Sequence, residues 1–301
     1  MILSVRGLRF TYPGGIDALD GLDLDAPEGG RLAILGPNGS GKTTLLMHLN
    51  GTLRPSGGEV WLEAQPVAYD RRSLTRWRAT VGLVLQDPDD QLFAGNVYQD
   101  VSFGPLNLGL TEREVKDRVD EALAAMRIAD LSRRPIHMLS FGQRKRVAIA
   151  GVLAMKPRVL ALDEPTGGLD THGVAHLLSA LGHLVEGGTT IVYTTHDVDL
   201  ACAWSDTVAL FHQGRVIGRG RPEEVLAEGK LLRQAHLRLP LALDVGLKAR
   251  ELGLIAADAP LPRSRSQVAD LLAQIAGHTP PSRPAHHASD DAPIHAESAT
   301  S

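Results

Sequence analysis

Apolar and polar residues alternate in two segments near the amino terminus, over residues 3–12 and 18–24. In the first segment the apolar side chains are those of Leu3, Val5, Leu8, Phe10 and Tyr12. A period of two is typical of strands that bury one face and expose the other, as in antiparallel sheets. The pattern therefore predicts two half-exposed strands, joined by the turn residues Pro13-Gly14-Gly15.

Four later segments are rich in apolar or β-branched residues on both faces. They are Arg31–Leu35, Val81–Leu85, Val159–Leu162 and Thr189–Thr195. Short runs of this kind are typical of parallel strands that are covered on both sides. We therefore predict an α/β fold with a mainly parallel sheet, preceded by an antiparallel β subdomain.

Helical periodicity is found between these strand segments. Thr111 and Glu114 have the spacing of a capping box, and apolar residues then recur on one helical face at Val115, Val119, Ala122, Leu123 and Met126. We predict a helical insert over about residues 87–155, inside an α/β unit that spans residues 1–228. A small helical appendage is predicted over residues 229–276, followed by a disordered tail over residues 277–301.

The composition narrows the possible functions. The chain of 301 residues carries 31 basic and 35 acidic side chains, which gives a net charge of −4 and no basic excess for binding nucleic acid. No segment reaches the roughly 18 apolar residues of a spanning helix, and no signal-peptide pattern precedes the first strand. The single cysteine, Cys202, excludes a disulfide and is expected to be a half-buried structural thiol. These features predict a soluble, cytoplasmic protein that reaches a membrane only through a partner.

A phosphate-binding motif lies between the first buried strand and a helical segment. Its residues are Gly36, Pro37, Asn38, Gly39, Ser40, Gly41, Lys42, Thr43 and Thr44. This spacing matches the P-loop, in which backbone N–H groups and a lysine bind phosphates and a hydroxyl binds Mg²⁺. We assign these roles to the loop, Lys42 and Thr43, against the alternative of an ordinary glycine-rich turn.

Polar residues follow the buried strands at the ends where ligands bind in parallel sheets. Asp163 and Glu164 come after Leu162, Gln86 follows Leu85, and His196 follows Thr195. We predict that Asp163 holds Mg²⁺ and that Glu164 faces the terminal phosphate. The alternatives are an acidic pair that caps the next segment, a common strand-end glutamine and a histidine with a purely structural hydrogen bond.

Two further positions are candidates for binding a nucleotide. Ser140 is a helix N-cap candidate, and its hydroxyl and the Gly142 N–H group suit an anion at a helix start. The alternative is a plain helix start. Tyr12, just before the P-loop, has two interpretations, a ring that stacks on adenine or a packed edge-strand tyrosine.

The order of these motifs over nearly 200 residues resembles that of the ATP-binding cassette ATPases. The segments Gln86–Phe93 and Asp100–Pro105 are similar to those of the ATPase subunit of energy-coupling factor importers, most closely the cobalt or nickel type. The resemblance covers about residues 1–275. It implies the fold of a P-loop ATPase, with ATP and Mg²⁺ as cofactors.

The resemblance also implies the role of each site residue. Tyr12 would stack on adenine, Gln86 would sense Mg²⁺ and the attacking water, and Asp163 would assist Thr43 in holding Mg²⁺. Glu164 would polarise the water, and His196 would touch the γ-phosphate. The residues that would act at the seam with a second ATPase subunit are Ser140, Gly142 and Asp170.

The partners implied are a second ATPase subunit (this chain or a paralogue), a transmembrane coupling subunit and a substrate-binding membrane subunit. The helical appendage over residues 229–276 would be a dimerisation domain. The chain would then lie on the cytoplasmic face of the cell membrane as a peripheral protein. A vitamin importer of the same type remains an alternative, and a non-transport cassette ATPase is a distant one. The tail histidines are His278, His286, His287 and His295. They would favour a metal cargo if they bind a soft divalent metal, and the alternative is a solvated tail without a ligand.

Two positions depart from the common family pattern. Phe141 replaces the first glycine of Leu-Ser-Gly-Gly-Gln, and Gly168 stands where serine or alanine is common. Because Gly142 is retained as the backbone donor, we expect the motif to remain functional.

Overall fold

The computed structural model describes residues 1–277, and the fold contains two sheets in this range. The predicted tail and its four histidines lie outside the described residues, apart from Gly277. The strands are β1 (Leu3–Tyr12), β2 (Ile16–Ala26), β3 (Arg31–Leu35), β4 (Gly57–Leu62), β5 (Gln65–Pro66), β6 (Val81–Val84), β7 (Val159–Leu162), β8 (Thr190–Thr195), β9 (Thr207–His212) and β10 (Arg215–Gly220).

Helices connect the strands and continue after the last one. They are α1 (Lys42–Leu49), α2 (Arg71–Thr80), α3 (Val97–Asn107), α4 (Glu112–Ala125), α5 (Phe141–Leu153), α6 (Thr171–Glu186), α7 (Val198–Trp204), α8 (Pro222–Val225), α9 (Gly229–Gln234), α10 (Leu241–Glu251) and α11 (Arg265–Ile275).

The larger sheet has the strand order β10-β9-β3-β8-β7-β6, and only the β9–β10 pair is antiparallel. β3, β7 and β8 are buried along most of their length, as their apolar composition predicted. The carboxyl ends of β3, β7 and β8 therefore meet at one edge of the sheet, where a ligand can bind.

The smaller sheet is antiparallel throughout, in the order β2-β1-β4-β5. Its inner face packs against one side of the larger sheet and against α1, where Leu45, Leu46 and Leu49 are buried. The predicted mainly parallel sheet and the antiparallel β subdomain are both confirmed.

Helices α3 to α7 cover the other side of the larger sheet. The capping box at α4 is present as predicted, because the Thr111 hydroxyl accepts from Glu114 N–H and the Glu114 carboxylate accepts from Thr111 N–H. The apolar stripe of α4 packs into the same core as β6 and β7. This packing accounts for the periodicity seen in the sequence.

Helix α2 is an element that the apolar pattern did not predict. Its sequence is mostly polar, with Leu74 and Trp77 as the large apolar residues, so there is little apolar periodicity to predict a helix. The one local signal is Asp70, which caps the amino-terminal end of the helix. Trp77 is buried and its Nε1–H donates to the Leu49 carbonyl at 2.9 Å, at the end of α1. One tryptophan therefore fixes α2 against the P-loop helix.

The carboxyl-terminal helices share the core of the α/β unit. Leu232 on α9 and Leu243 on α10 are buried in the same cluster as β7 and α7. Arg263 donates to the carbonyl oxygens of Cys202 and Ser205 at the end of α7. Within residues 1–277, none of the helices combines the length and apolar character needed to span a bilayer.

Cys202 is more buried than the sequence predicted. Its side chain is fully buried in the core, whereas it was expected to be half-buried. Burial raises the pKa of its thiol to about 12, so the thiolate form is strongly disfavoured. The structural role predicted for this thiol agrees with that environment.

Candidate functional site

The P-loop connects the end of β3 to the start of α1, and two of its glycines have no room for a side chain. A Cβ at Gly36 would overlap the carbonyl oxygen of Phe211 on β9. Gly41 has a φ of 101°, and a Cβ there would overlap the carbonyl oxygen of Ala18. The loop can therefore pack against β2 and β9 only because glycine occupies both positions.

The amino-terminal end of α1 has unsatisfied donors. Gly41 at the N-cap offers no side chain to bond the N–H groups of the first turn, which carries no acidic residue. The Ser40 hydroxyl is buried and has no hydrogen-bond partner among the described residues. A phosphate bound at this helix start would supply acceptors for both groups, and the helix dipole would favour its negative charge.

Lys42 lies in the same loop with its ammonium group mostly buried. Its Nζ donates to the carbonyl oxygens of Gly36 at 2.8 Å and Pro37 at 3.0 Å. Burial lowers the pKa of Lys42, and the charges of Glu164 and Asp163 oppose that shift. The lysine is thus a positive charge held at the phosphate-binding loop by bonds that a ligand can replace.

Asp163 connects the P-loop to the end of β7. Its Oδ2 accepts from the Thr43 hydroxyl at 2.6 Å, and its Oδ1 accepts from the Thr194 hydroxyl at 2.5 Å. Thr43 and Asp163 are hard oxygen donors of the kind that bind Mg²⁺, which usually keeps several waters and binds phosphate as well. The described residues contain no group of three His, Cys, Asp or Glu side chains that could hold a metal alone. The donor set therefore suits a cation that arrives with a nucleotide.

Glu164 has an unusual backbone conformation. Its φ is 44°, in the left-handed region that few residues other than glycine adopt. The Thr194 hydroxyl accepts from Glu164 N–H at 2.9 Å, and His196 Nδ1 lies 2.9 Å from Glu164 Oε2. The glutamate is nearly buried, whereas the His196 side chain is 75% exposed. Strained backbone of this kind is often found at functional sites.

Tyr12 and Gln86 were also predicted at the site. Tyr12 ends β1, and its hydroxyl lies 3.1 Å from the Thr44 hydroxyl on α1. The Gln86 side chain is exposed beyond β6 and has no hydrogen bond to another described residue. The structure therefore brings Tyr12, Asp163, Glu164 and His196 to the P-loop, and places Gln86 at the border with the helical segment.

Ser140 and Gly142 are at a different place on the surface. Ser140 is the exposed N-cap of α5, in a capping box with Gln143 that the sequence analysis did not identify. Gly142 packs beside Leu169 and Gly168, next to the turn that ends at Asp170. Within residues 1–277, no hydrogen bond joins Ser140 or Gly142 to the P-loop. Asp170 caps α6, where its carboxylate accepts from Gly173 N–H at 2.6 Å.

Two residues of the site were missed by sequence reasoning. Thr194 bonds both Asp163 and Glu164, and Lys145 on α5 is fully buried with its ammonium beside the Glu164 carbonyl. Thr194 could have been found from the sequence, because it is a polar residue near the end of a buried strand, where ligands bind. Lys145 lies in the run Arg144-Lys145-Arg146, and no local pattern distinguishes the buried lysine from its neighbours.

This combination of a P-loop, an acidic strand end and a separate serine-capped helix defines a class of protein. The chain belongs to the ABC transporter family, and the model of that family matches residues 19–167. It is 54% identical over 278 residues to the cobalt import ATP-binding protein CbiO of Rhodobacter capsulatus, covering 92% of this chain and 98% of that one.

Two further comparisons agree. The energy-coupling factor transporter ATP-binding protein EcfA of Methanococcus maripaludis is 48% identical over 239 residues, which cover 79% of this chain and 86% of that one. The structure of CbiO1 from Clostridium perfringens, described as part of the ABC transporter complex CbiONQ, superposes with a TM-score of 0.69. It is 44% identical and covers 84% of this chain and 97% of that one. The P-loop ATPase fold and the similarity to energy-coupling factor ATPases are confirmed, and the chain is an ABC ATPase that binds and hydrolyses ATP.

Proposed function

We propose that this chain is the ATP-hydrolysing subunit of an energy-coupling factor importer that moves cobalt or nickel ions. The observation that carries the proposal is the joining of the P-loop to the β7 carboxylates, through Thr43 and Asp163, in a chain 54% identical to a cobalt import protein. The similarity extends over 98% of that relative, so it includes the helical appendage as well as the ATP site.

ATP would be bound by the loop and the start of α1. The free N–H groups of the first turn, the Ser40 hydroxyl and the Lys42 ammonium would donate hydrogen bonds to the phosphate oxygens. The adenine ring would stack on Tyr12, which is half-buried against α1 at the end of β1. These groups bind and orient the nucleotide and take no part in bond breaking.

Thr43 and Asp163, together with Gln86, would hold Mg²⁺. When bound, the cation would neutralise part of the negative charge on the phosphate oxygens. The Thr43 hydroxyl and Asp163 already point to each other at 2.6 Å. Their contact would open when the cation arrives, and Thr194 would keep Asp163 oriented.

Glu164 would orient and polarise the attacking water. Its carboxylate is nearly buried and lies beside His196, which would contact the γ-phosphate. Hydrolysis of this kind depends on positioning and charge stabilisation more than on covalent chemistry. The left-handed backbone at Glu164 would serve that positioning, because Thr194 holds its N–H group.

A second ATPase subunit would complete the site. Ser140 and Gly142 are exposed or half-exposed at the start of α5, away from their own P-loop. They would bind the ATP held by the opposing protomer, whose phosphates would meet the amino-terminal end of α5. Asp170 would lie at the same seam, and the partner would be this chain or a paralogue.

The membrane partners would be a transmembrane coupling subunit and a substrate-binding subunit. The exposed segment after Gln86 would contact the coupling subunit on the cytoplasmic face of the membrane, so that closing and opening of the ATPase dimer would move it. Cobalt or nickel as cargo is supported by the CbiO similarity. Co-purification of membrane subunits with the chain, combined with cobalt and nickel uptake in cells that carry it, tests this assembly.

The hydrolysis step is tested with Glu164→Gln. This variant should bind ATP as the wild type does, but it should not turn it over, and it should accumulate as a closed dimer. An undiminished steady-state ATPase rate in the variant would contradict the role given to Glu164. A cobalt or nickel titration of the full chain, against one that lacks residues 278–301, tests whether the tail histidines bind the cargo.

A further inference from the structure

Lys145 is a buried charge that the chemistry above leaves without a role. It lies on α5 with 0% of its surface exposed. Its Nζ donates to the carbonyl oxygen of Gln86 at 2.6 Å and to that of Glu164 at 3.1 Å. Among residues 1–277, no carboxylate oxygen forms an ion pair with it, unlike the neighbouring Arg144, which pairs with Asp89 at 2.7 Å.

Such a lysine is costly to keep. Removing an ammonium group from water costs several kcal/mol unless strong partners replace the solvent, and two neutral carbonyls replace it only in part. Burial accordingly lowers the pKa of Lys145, although Asp163, Glu164 and Asp87 oppose the shift. An apolar side chain of similar length would fill the space at lower cost. The two carbonyl groups that its ammonium binds therefore explain this lysine better than a gain in folding stability does.

The two carbonyls belong to two different strand ends. β6 and β7 are adjacent parallel strands, with Val84 beside Leu162, and the chain leaves them in separate directions. Gln86 leads into the helical segment, whereas Glu164 leads into the turn before α6. The ammonium of Lys145 bridges the two backbones just beyond the point where the ladder ends.

One of these backbones is the strained one. Glu164 has its N–H group bonded to Thr194 and its carbonyl bonded to Lys145, so both of its peptide groups are held. A left-handed residue other than glycine persists only where its surroundings fix it. The Lys145 bond is thus part of what directs the Glu164 carboxylate toward His196.

We propose that Lys145 is a positioning residue, which couples the orientation of α5 to the backbone of Gln86 and to the catalytic geometry of Glu164. The same rigid helix begins at Ser140, five positions earlier. Movement of α5 against a second subunit would therefore shift the backbone of Glu164 and that of the Gln86 segment together. This inference rests on the proposed role of Glu164 in hydrolysis.

The test compares Lys145→Met, which keeps the length and removes the donors, with Lys145→Gln, which restores two N–H donors. We expect Lys145→Met to lower kcat at least about tenfold with the KM for ATP changed less than about threefold, because small misplacements at a reacting group are costly. Lys145→Gln should recover most of that loss. The matched control is Lys116→Met on α4, whose side chain is 65% exposed and which should keep the wild-type kcat.

A second pair of variants keeps the inference testable if Lys145→Met does not fold. Lys145→Asn carries the same amide as Lys145→Gln on a shorter side chain that cannot reach both carbonyls. The glutamine variant should turn over ATP faster than the asparagine variant at equal nucleotide affinity. Equal kcat values for this pair, or a Lys145→Met variant with the wild-type kcat, would overturn the inference. Absence of turnover in the wild type would instead overturn the proposed function.

Discussion

The ring of Phe141 lies directly against the backbone of Gly168. A Cβ at position 168 would come within 2.6 Å of Phe141 Cδ1 and would overlap Cε1. The two departures from the common family pattern are therefore one structural feature, because the small residue makes room for the large one. The contact joins the serine-capped start of α5 to the turn that ends at Asp170.

Gly168→Ala should disturb this contact between Phe141 and the backbone of residue 168. The φ of Gly168 is 75°, so an alanine would be strained by roughly 1–2 kcal/mol, and its Cβ would also displace the Phe141 ring. We expect a lower unfolding midpoint and a lower ATPase rate. Phe141→Gly in the same chain should restore part of the rate, since it removes the overlap but not the strain. Gly253→Ala is the control, because its φ of 68° strains an alanine in the same way while its Cβ would meet nothing within 4 Å. No rescue by Phe141→Gly would mean that strain alone acts.

Thr194→Val should reduce ATP turnover while ATP still binds. The variant keeps the shape of the side chain but removes the hydroxyl that bonds Asp163 and Glu164 N–H. We expect kcat to fall about tenfold, with ATP affinity in the absence of Mg²⁺ nearly unchanged.

The matched control for that change is Thr190→Val at the other end of β8. The Thr190 hydroxyl is also buried, and it accepts from Gly29 N–H at 2.9 Å, far from the carboxylates. Both variants should lose about 1–3 kcal/mol of stability from an unpaired buried group, but only Thr194→Val should lose kcat. Equal kcat losses in the two variants would indicate a general effect of destabilisation.

Stability should decrease in mild acid because of His48. Its ring is fully buried on α1, Nδ1–H donates to the Thr44 carbonyl at 2.7 Å, and Nε2 has no partner within residues 1–277. Burial lowers the pKa of His48 below its usual 6.5. The unfolded chain therefore binds a proton at a higher pH than the folded chain does, and stability is lost as pH falls below about 6.5.

Urea unfolding at several pH values between about 5 and 7.5 measures this effect. His48→Gln, which keeps a donor for Thr44, should flatten the dependence of the unfolding midpoint on pH. It should not abolish it, because burial also lowers the pKa of His176. An unchanged slope in the variant would show that His48 does not titrate on unfolding in this range.

Complementation tests whether the site is shared between two copies. Lys42→Ala removes the phosphate ligand of one protomer, and Ser140→Arg blocks the helix start that would face the other. Each variant alone should be inactive. A mixture should regain turnover, because a mixed dimer contains one site with both residues intact. If mixing restores nothing, the opposing subunit is a paralogue or the serine acts within its own chain.

Much of the fold follows from local pattern. A period of two identifies β1 and β2, and uninterrupted apolar runs identify β3 and β7, because burial on one face or on both leaves a direct trace in the sequence. The P-loop spacing likewise predicts the geometry at Gly36 and Gly41. The roles of the site residues remain predictions, and what the structure gives is the contact of Asp163 with Thr43 and that of His196 with Glu164.

The remainder depends on tertiary contacts that have no local trace. Whether Thr194 or Thr195 meets Asp163 is decided by the register of β7 against β8. Lys145 and Arg144 are equivalent in the sequence, yet helix rotation buries one and leaves the other partly exposed to pair with Asp89. Helix α2 was missed because a single aromatic residue, Trp77, anchors it.

Cys202 gives the chain an internal reporter of opening. It is the only cysteine in the sequence, its side chain is fully buried, and the carbonyl of the same residue is bonded by Arg263 from the appendage. A thiol-specific dye can therefore react only in molecules where the packing around Cys202 has opened. The labelling rate at several denaturant concentrations then gives the free energy of that opening, and a comparison with ATP present shows whether nucleotide binding raises it.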